Sequence, residues 1–129
     1  MKTVYLCGAI NGQSDEACKG WRDEAKAALA GQYTVLDPMR RDFRGKEAGN
    51  AGKIIRGDLT DIHAADILLV NASRPSWGTA MEVYHAASSR RCLVYAFGAG
   101  DHPSPWLVAH CDQLFPDLAA ALTVLRGAA

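Results

Sequence analysis

The segment S-R-P-S-W-G-T-A-M-E-V, residues 73–83, contains a carboxylate that could do chemistry. Glu82 stands three residues after Thr79, where the sequence predicts the start of a helix. This is the spacing of a capping box, in which both side chains satisfy free amide groups of the first turn. A helix start also favours an ionised carboxylate, which is the form a nucleophile needs. The spacing therefore supports two interpretations of Glu82, a helix cap or a nucleophile.

Two more carboxylates, Asp58 and Asp61, lie on a predicted helix that precedes a strand. Asp58 sits beside a row of apolar residues at helical spacing, namely Ile55, Leu59 and Ile62. Both aspartates could simply be solvated. Alternatively, one of them works with Glu82 at an oxocarbenium-like sugar centre, where one carboxylate attacks and another group handles a proton.

The turn G-A-I-N-G, residues 8–12, follows the first predicted strand and offers backbone amides to a ligand. It matches neither the G-x-G-x-x-G nor the Walker pattern, so the sequence does not support a dinucleotide or ATP site. An ordinary tight turn explains it equally well. A basic cluster follows the second predicted strand, and because acidic residues interrupt it, it could face solvent or clamp an anion: Arg40, Arg41, Arg44 and Lys46.

The sequence predicts no metal site and no cofactor. Glu82-x-x-His85 is half of a di-iron signature, but it has no second copy and H-E-x-x-H is missing. The cysteines show no C-x-x-C pair and no zinc-type spacing, and they are predicted to be mostly small buried apolar residues: Cys7, Cys18, Cys92 and Cys111.

Strands and helices alternate along the chain. Apolar, β-rich runs predict strands at 2–7, 33–36, 66–70 and 92–97, and helical spacing predicts helices at about 14–29, 53–65, 79–89, 106–111 and 116–127. This alternation predicts one α/β domain over residues 1–129, a doubly wound, mainly parallel sheet of about five strands flanked by helices, in a Rossmann- or flavodoxin-like three-layer sandwich. Ligands bind such sheets beyond the carboxyl ends of the strands, so we expect the chemistry in the loops 8–12, 37–52 and 71–78.

Composition narrows the class of protein. The chain has 129 residues, and its 14 basic residues balance its 14 acidic ones, which argues against a general nucleic-acid binder. No apolar run is long enough to cross a membrane, and the first residues do not read as a signal peptide. Together with the scattered cysteines, this predicts a cytoplasmic protein without a nucleic-acid or membrane partner.

Five motifs, taken in order, resemble the nucleoside 2-deoxyribosyltransferase family. The resemblance runs from about residue 4 to residue 110, and the ordered series is far more specific than any single motif. The motifs are Y-L-C-G-A-I-N-G (5–12), G-W-R (20–22), L-D-P-M-R-R-D-F-R-G (36–45), D-L-T-D-I-x-x-A-D-I-L-L-V (58–70) and P-S-x-G-T-A-M-E (75–82).

The resemblance implies a role for each matching residue. Glu82 corresponds to a nucleophile that attacks the anomeric carbon and holds a covalent deoxyribosyl intermediate. Asp58 corresponds to the carboxylate that handles the proton of the leaving base, and Tyr5 to a tyrosine close to the nucleophile. Glu82 would then occupy the cap position and be the nucleophile as well. The implied substrate-binding residues are Gly8, Ile10 and Asn11 on the sugar side, Asp37, Arg40 and Arg44 on the base side, and Gly78 and Met81 beside the nucleophile.

One departure within the family favours a phosphorylated substrate. Members that act on free nucleosides commonly carry an acidic residue six positions before the nucleophile, where this chain has Ser76. A carboxylate would repel a 5′-phosphate, whereas a hydroxyl can donate to it. The branch that cleaves nucleoside 5′-monophosphates resembles this chain in having serine there, and it uses a second serine from a neighbouring subunit. Ser104 is the matching candidate, which implies a homodimer or dimer of dimers with shared sites.

The resemblance therefore implies cleavage of the N-glycosidic bond of a 2′-deoxynucleoside 5′-monophosphate, by hydrolysis or by transfer to another base. Two alternatives remain open on the sequence. One is base exchange on unphosphorylated 2′-deoxynucleosides. The other is a nucleotide-binding sensor without catalysis, although such a sensor would have no need for a nucleophile.

Overall fold

The computed structural model describes residues 1–89 and 91–127. Its helices and strands alternate as the sequence predicts, with a π-helical turn (Glu16–Gly20) before the first helix and a 3-10 turn (Pro38–Arg41) after the second strand. The strands are β1 (Lys2–Gly8), β2 (Tyr33–Leu36), β3 (Ile67–Asn71), β4 (Leu93–Phe97) and β5 (Gln113–Phe115). The helices are α1 (Trp21–Leu29), α2 (Ala51–Ala64), α3 (Trp77–Ser88), α4 (Pro105–His110) and α5 (Leu118–Gly127).

All described strand pairs are parallel, and the strand order is β2-β1-β3-β4-β5. Val4 of β1 pairs with Val35 on one side and with Ile67 on the other. The predicted doubly wound parallel sheet is therefore confirmed. The strand order reverses between β1 and β3, so the crevice beyond their carboxyl ends is where ligands of such sheets bind.

Side chains along β1 alternate between the two faces of the sheet. Val4 and Leu6 join the core formed with α1 and α5, whereas Tyr5 and Cys7 join the core formed with α2 and α3. All four are at most 1% exposed. Tyr5 is therefore fixed on the face that also carries the helices of Asp58 and Glu82.

The start of α3 corrects the capping prediction. Ser76, in extended conformation (φ −153°, ψ 136°), is the N-cap, and its Oγ accepts a hydrogen bond from the amide of Thr79 at 3.3 Å. Thr79 is the third helical residue, and Glu82 lies in the second turn, so the two do not form a capping box. The helix begins earlier because Ser76 offers both the extended backbone and the hydroxyl that a cap requires.

Two other expectations differ from the structure. Ile55 is 55% exposed, so it does not belong to the core row of α2, whereas Asp61 is only 6% exposed and pairs with two arginines. The fifth strand, β5, has three residues, which is too short for a periodic apolar pattern to reveal. Within the described ranges, every helix is too short or too polar to span a lipid bilayer.

Candidate active site

The central contact of the site joins β1 to α3. The Tyr5 hydroxyl donates a hydrogen bond of 2.5 Å to Oε2 of Glu82, 77 positions along the chain. Burial, followed by the nearby Glu82 carboxylate, raises the pKa of Tyr5, so this phenol stays neutral and remains a donor. The hydrogen bond fixes one oxygen of Glu82 and leaves Oε1 as the oxygen available to a ligand.

The electrostatics of Glu82 suit a group that must be partly ionised near neutral pH. The pKa of Glu82 is raised from 4.5 to about 7, chiefly by burial and also by the negative charge of Asp58, whereas Tyr5 and Arg22 oppose the rise. A carboxylate with few water contacts is also a stronger nucleophile than a solvated one, because less hydration must be removed when it attacks. The Tyr5 hydrogen bond keeps the ionised form accessible.

Asp58 reaches the same site from α2. Burial raises the pKa of Asp58, and a contact of 3.3 Å between Asp58 Oδ1 and Nη2 of Arg41 opposes this rise, as does the Tyr5 hydroxyl. Two carboxylates and a phenol, from two helices and a strand, therefore influence one another's ionisation. The structure thus brings together Tyr5, Asp58 and Glu82, the three residues that the sequence predicts to be catalytic.

The turn after β1 is fixed from beneath. The carbonyl of Gly8 accepts a hydrogen bond of 3.0 Å from Nη2 of Arg22, and a Cβ at Gly8 would lie 2.9 Å from the Trp21 ring. A side chain at position 8 would therefore displace the tryptophan. Ile10 is half-buried and Asn11 is exposed, whereas the base of the turn is held by Arg22.

The three predicted base-side residues are held by other parts of the chain. Asp37 is buried, and its carboxylate contacts Lys26 at 2.8 Å. Both oxygens of Asp61 accept from Arg40 at 3.1 Å. Arg44 contacts Asp15 at 2.6 Å and Asp42 at 2.8 Å. In the described part of the chain, these contacts order the loop that follows β2, and none of the three hydrogen bonds with Tyr5, Asp58 or Glu82.

The N-terminus of α3 combines features of an anion site. A Cβ at Gly78 would lie 3.9 Å from both Ser76 Oγ and Glu82 Oε1, so a glycine here leaves space between the hydroxyl and the carboxylate. Free amides of a first helical turn and the helix dipole attract negative charge. Met81, also on this helix, is 64% exposed and makes part of its outer surface.

Ser104 lies on the other side of α3. It is the N-cap of α4 and, together with Ser76, it lines an open cavity of about 620 Å³ between α3 and α4. Three aromatic side chains of this cavity are largely exposed: Trp77 at 85%, Trp106 at 75% and Tyr84 at 57%. Neither Tyr5 nor Glu82 lines it, so Ser104 does not face the Glu82 carboxylate of its own chain across this cavity.

Two arginines support the site in roles that the sequence did not predict. Arg22 is fully buried and donates to the carbonyls of Leu6, Cys18 and Gly8, and its place among the apolar positions of α1 was the available signal. Arg41 contacts Asp58 and Asp61. Sequence analysis named Arg41 in a basic cluster, but nothing in D-P-M-R-R distinguishes it from its neighbour.

The described residues contain no group of three side chains suited to a metal ion. Nε2 of His85 lies 2.9 Å from Nε2 of His63, and this contact joins α3 to α2.

Comparison with known proteins agrees with the motifs. The family model "Nucleoside 2-deoxyribosyltransferase" matches residues 4–119. The comparison with curated proteins found no match.

Among solved structures, a 2-deoxyribosyltransferase from Bacillus psychrosaccharolyticus is 20% identical, with a TM-score of 0.74 over 93% of this chain and 90% of that one. A 2-deoxyribosyltransferase from Leishmania mexicana is 22% identical, with a TM-score of 0.58 over 74% and 65%. The CMP N-glycosidase BcmB of Clostridium botulinum is 16% identical, with a TM-score of 0.61 over 97% and 99%. At these identities the likeness shows the fold.

Proposed function

Because the chain belongs to the nucleoside 2-deoxyribosyltransferase family, we propose that it cleaves the N-glycosidic bond of a 2′-deoxynucleoside 5′-monophosphate through a covalent intermediate on Glu82. Family membership makes it an enzyme of the glycosyl-transfer or N-glycosidase type. The finer points, namely the phosphate, the covalent step and water as acceptor, are our proposal. The observation that carries it is the hydrogen bond between Tyr5 and Glu82 beside Asp58.

In the first step, Glu82 Oε1 attacks the anomeric carbon while the bond from that carbon to the base nitrogen breaks. The electron pair of the broken bond goes to the base, which takes a proton from Asp58. Tyr5 holds Oε2 and so aims the other oxygen. In the second step, water attacks the same carbon, its proton passes to Asp58, and the bond to Glu82 breaks with its electron pair returning to the carboxylate.

The N-terminus of α3 supports a phosphate-bearing substrate. Ser76 Oγ accepts from the Thr79 amide, so its hydroxyl hydrogen is free to point outward and donate to a phosphate oxygen. Gly78 leaves room for the phosphate between this hydroxyl and Glu82. An acidic side chain at position 76 would instead place a negative charge at the same spot.

A second copy of the chain is proposed as the cover of the cavity between α3 and α4. Exposed tryptophans and tyrosines grouped on one face are typical of interfaces. In the resulting dimer, Ser104 of the partner subunit would approach the phosphate side of the site. Sharing of this kind requires both subunits for activity.

The test is a chromatographic assay of released base. The protein is incubated with dCMP, dUMP, dGMP, dAMP and CMP, then with the unphosphorylated nucleosides, each with and without a second free base. We expect release from deoxynucleoside monophosphates, loss of at least a thousandfold in Glu82→Ala, and weaker binding of monophosphates in Ser76→Asp. Asp23→Asn, an exposed residue of α1 on the opposite face of the sheet, is the control for folding.

Other outcomes select the alternatives. Base exchange on free deoxynucleosides, with no benefit from phosphate, would establish a transferase and refute the role of Ser76. Binding without turnover, retained in Glu82→Ala, would establish a sensor. Trapping by rapid acid quench and mass spectrometry of the intact protein should add one phosphodeoxyribosyl group, located on the peptide of Glu82, and its absence under turnover would refute the covalent step.

Mixing two inactive variants tests whether each active site is shared between two subunits. Glu82→Gln and Ser104→Ala are each inactive or weak in a shared-site dimer, but mixed subunits restore one intact site, so mixing should recover part of the activity. Failure of the mixture to exceed the sum of its components, despite exchange of subunits, would place Ser104 outside the site.

A further inference from the structure

The side chain of Arg41 crosses α2 at a glycine. A Cβ at Gly57 would lie 2.6 Å from Nε of Arg41 and 3.2 Å from its Cδ and Cζ. Glycine within a helix costs about 1 kcal/mol relative to alanine. The missing side chain at position 57 therefore has a structural reason, since it is the notch through which Arg41 passes.

A buried carboxylate anchors the far end of Arg41. Nη2 of Arg41 lies 2.8 Å from Oδ2 of Asp61, which is 6% exposed and also accepts two hydrogen bonds from Arg40. The same Nη2 lies 3.3 Å from Oδ1 of Asp58. One guanidinium nitrogen thus connects a fixed structural aspartate to the aspartate that the proposed reaction uses.

We propose that Arg41, seated in the notch of Gly57 and anchored by Asp61, is a positioning residue that holds Asp58 at the reacting centre and keeps it able to accept a proton as well as donate one. This inference rests on the proposed function, in which Asp58 donates in the first step and accepts in the second. A carboxyl group that stayed protonated could serve only the first step.

The groups around Asp58 give Arg41 a large influence on whether Asp58 is ionised. Tyr5 and Cys7 face it from β1, Glu82 from α3 and Asp61 from its own helix. These groups are neutral or negative, and among the described residues Arg41 is the cation in contact with Asp58. Burial raises the pKa of Asp58 and Arg41 opposes the rise, so removal of Arg41 would favour the protonated form.

Loss of Arg41 should therefore slow the second step more than the first. In that step, water forms a bond to the anomeric carbon, the bond to Glu82 breaks, and the water proton must pass to Asp58. If Asp58 already carries a proton, the covalent intermediate accumulates. The expected signature is a burst of free base equal to the enzyme concentration, followed by slow turnover that recovers as the pH is raised.

The experiment measures both the titration of Asp58 and the rate of turnover. Carboxyl ¹³C NMR of protein labelled in aspartate reports the titration of Asp58, whose signal is assigned by its loss in Asp58→Asn. In Arg41→Met the midpoint should rise by about 1–3 pH units. At an assay pH below the raised midpoint, kcat should fall by up to roughly tenfold for each pH unit between the two, because only ionised Asp58 supports the second step. Arg41→Lys, which keeps the charge, should recover part of both effects.

Gly57→Ala is the second variant, because it keeps the charge of Arg41 but fills the notch. It should shift the titration in the same direction, whereas Gly52→Ala, on the same helix, should not, since a Cβ there meets only the end of the flexible Arg56 side chain. An unchanged Asp58 titration in both Arg41→Met and Gly57→Ala would overturn the inference. Wild-type protein without turnover would refute the proposed function, and the titration would still decide the role of Arg41.

Discussion

Helix α3 has two flanks of opposite character. On one flank, Glu82 is hydrogen-bonded to Tyr5 and lies near Asp58, so its surroundings come from β1 and α2 of the same chain. On the other flank, Tyr84 and Trp77 border an open cavity and remain largely exposed. The first flank is assembled within one chain, and the second leaves apolar surface in contact with water.

The two flanks therefore differ in proposed role. The first carries the groups proposed for catalysis, and the second carries the surface proposed for self-association. The carboxylate flank carries partly buried acids whose ionisation costs stability, and Tyr5 favours the ionised form of Glu82 while Arg41 favours that of Asp58. The aromatic flank keeps apolar surface in contact with water, which is unfavourable, and a partner that covered it would gain free energy.

The largest effect on the carboxylate flank short of removing Glu82 should come from Tyr5→Phe. The lost hydrogen bond to a charged group is worth about 1.5–3 kcal/mol, equivalent to roughly 10–100-fold in kcat/KM. The pKa of Glu82, about 7 in the wild type, should rise because Tyr5 stabilises the ionised form. The acid limb of the pH profile should therefore move to higher pH. Tyr33→Phe, which removes a buried hydroxyl on the opposite face, should leave this limb in place.

The association proposed for the aromatic flank should be sensitive to Trp106, which lines the same cavity from α4. A buried interface tryptophan typically contributes about 2 kcal/mol or more, so Trp106→Ala should weaken self-association at least tenfold. Sedimentation equilibrium measures this directly, with Val124→Ala on α5 as the control for loss of an exposed apolar side chain. Wild-type protein that is monomeric at high concentration would contradict the proposal that a second copy covers this flank.

Much of the carboxylate flank could be predicted from the sequence. The apolar strands define the parallel sheet, and the ordered motifs identify Tyr5, Asp58 and Glu82, because such motifs preserve residue types at the ends of strands and helices. The helix start at Ser76 was missed, since Gly78-Thr79 and Pro75-Ser76 both look like helix beginnings and only backbone conformation decides between them.

The supporting contacts could not be predicted, because they join distant segments. Arg22 and Arg41 look like surface residues by type, and their partners are backbone carbonyls or aspartates far along the chain. Gly57 can be recognised in the sequence as a glycine within a helix, but the sequence does not show that the Arg41 side chain lies over it. The aromatic flank likewise becomes visible only when α3 and α4 are placed side by side.

The stability that the folded protein loses when Glu82 ionises can be measured with Glu82→Gln. The pKa of Glu82 in the folded protein, about 7, lies above its ordinary 4.5, so the folded state holds this proton more tightly than the unfolded chain does. The resulting stability is present below about pH 4.5 and is lost as the pH rises through 7. Glu82→Gln avoids this loss and should be more stable than wild type above pH 7 by about 1–3 kcal/mol. Thermal unfolding at pH 4 and pH 8 tests this, and an equal difference at both would refute the electrostatic cost.

The smallest effect concerns the histidine pair that joins α2 to α3. His63 and His85 approach at 2.9 Å between their Nε2 atoms, so one neutral imidazole donates and the other accepts. His63→Ala should therefore cost about 1 kcal/mol at pH 8. Chemical denaturation at pH 8 measures this cost, with His102→Ala, an exposed loop residue, as the control. Equal stability of His63→Ala and wild type would refute a contribution of the pair. These rings lie three and five residues from Glu82 and Asp58 on the same two helices, so the pair joins α2 to α3 close to the two carboxylates.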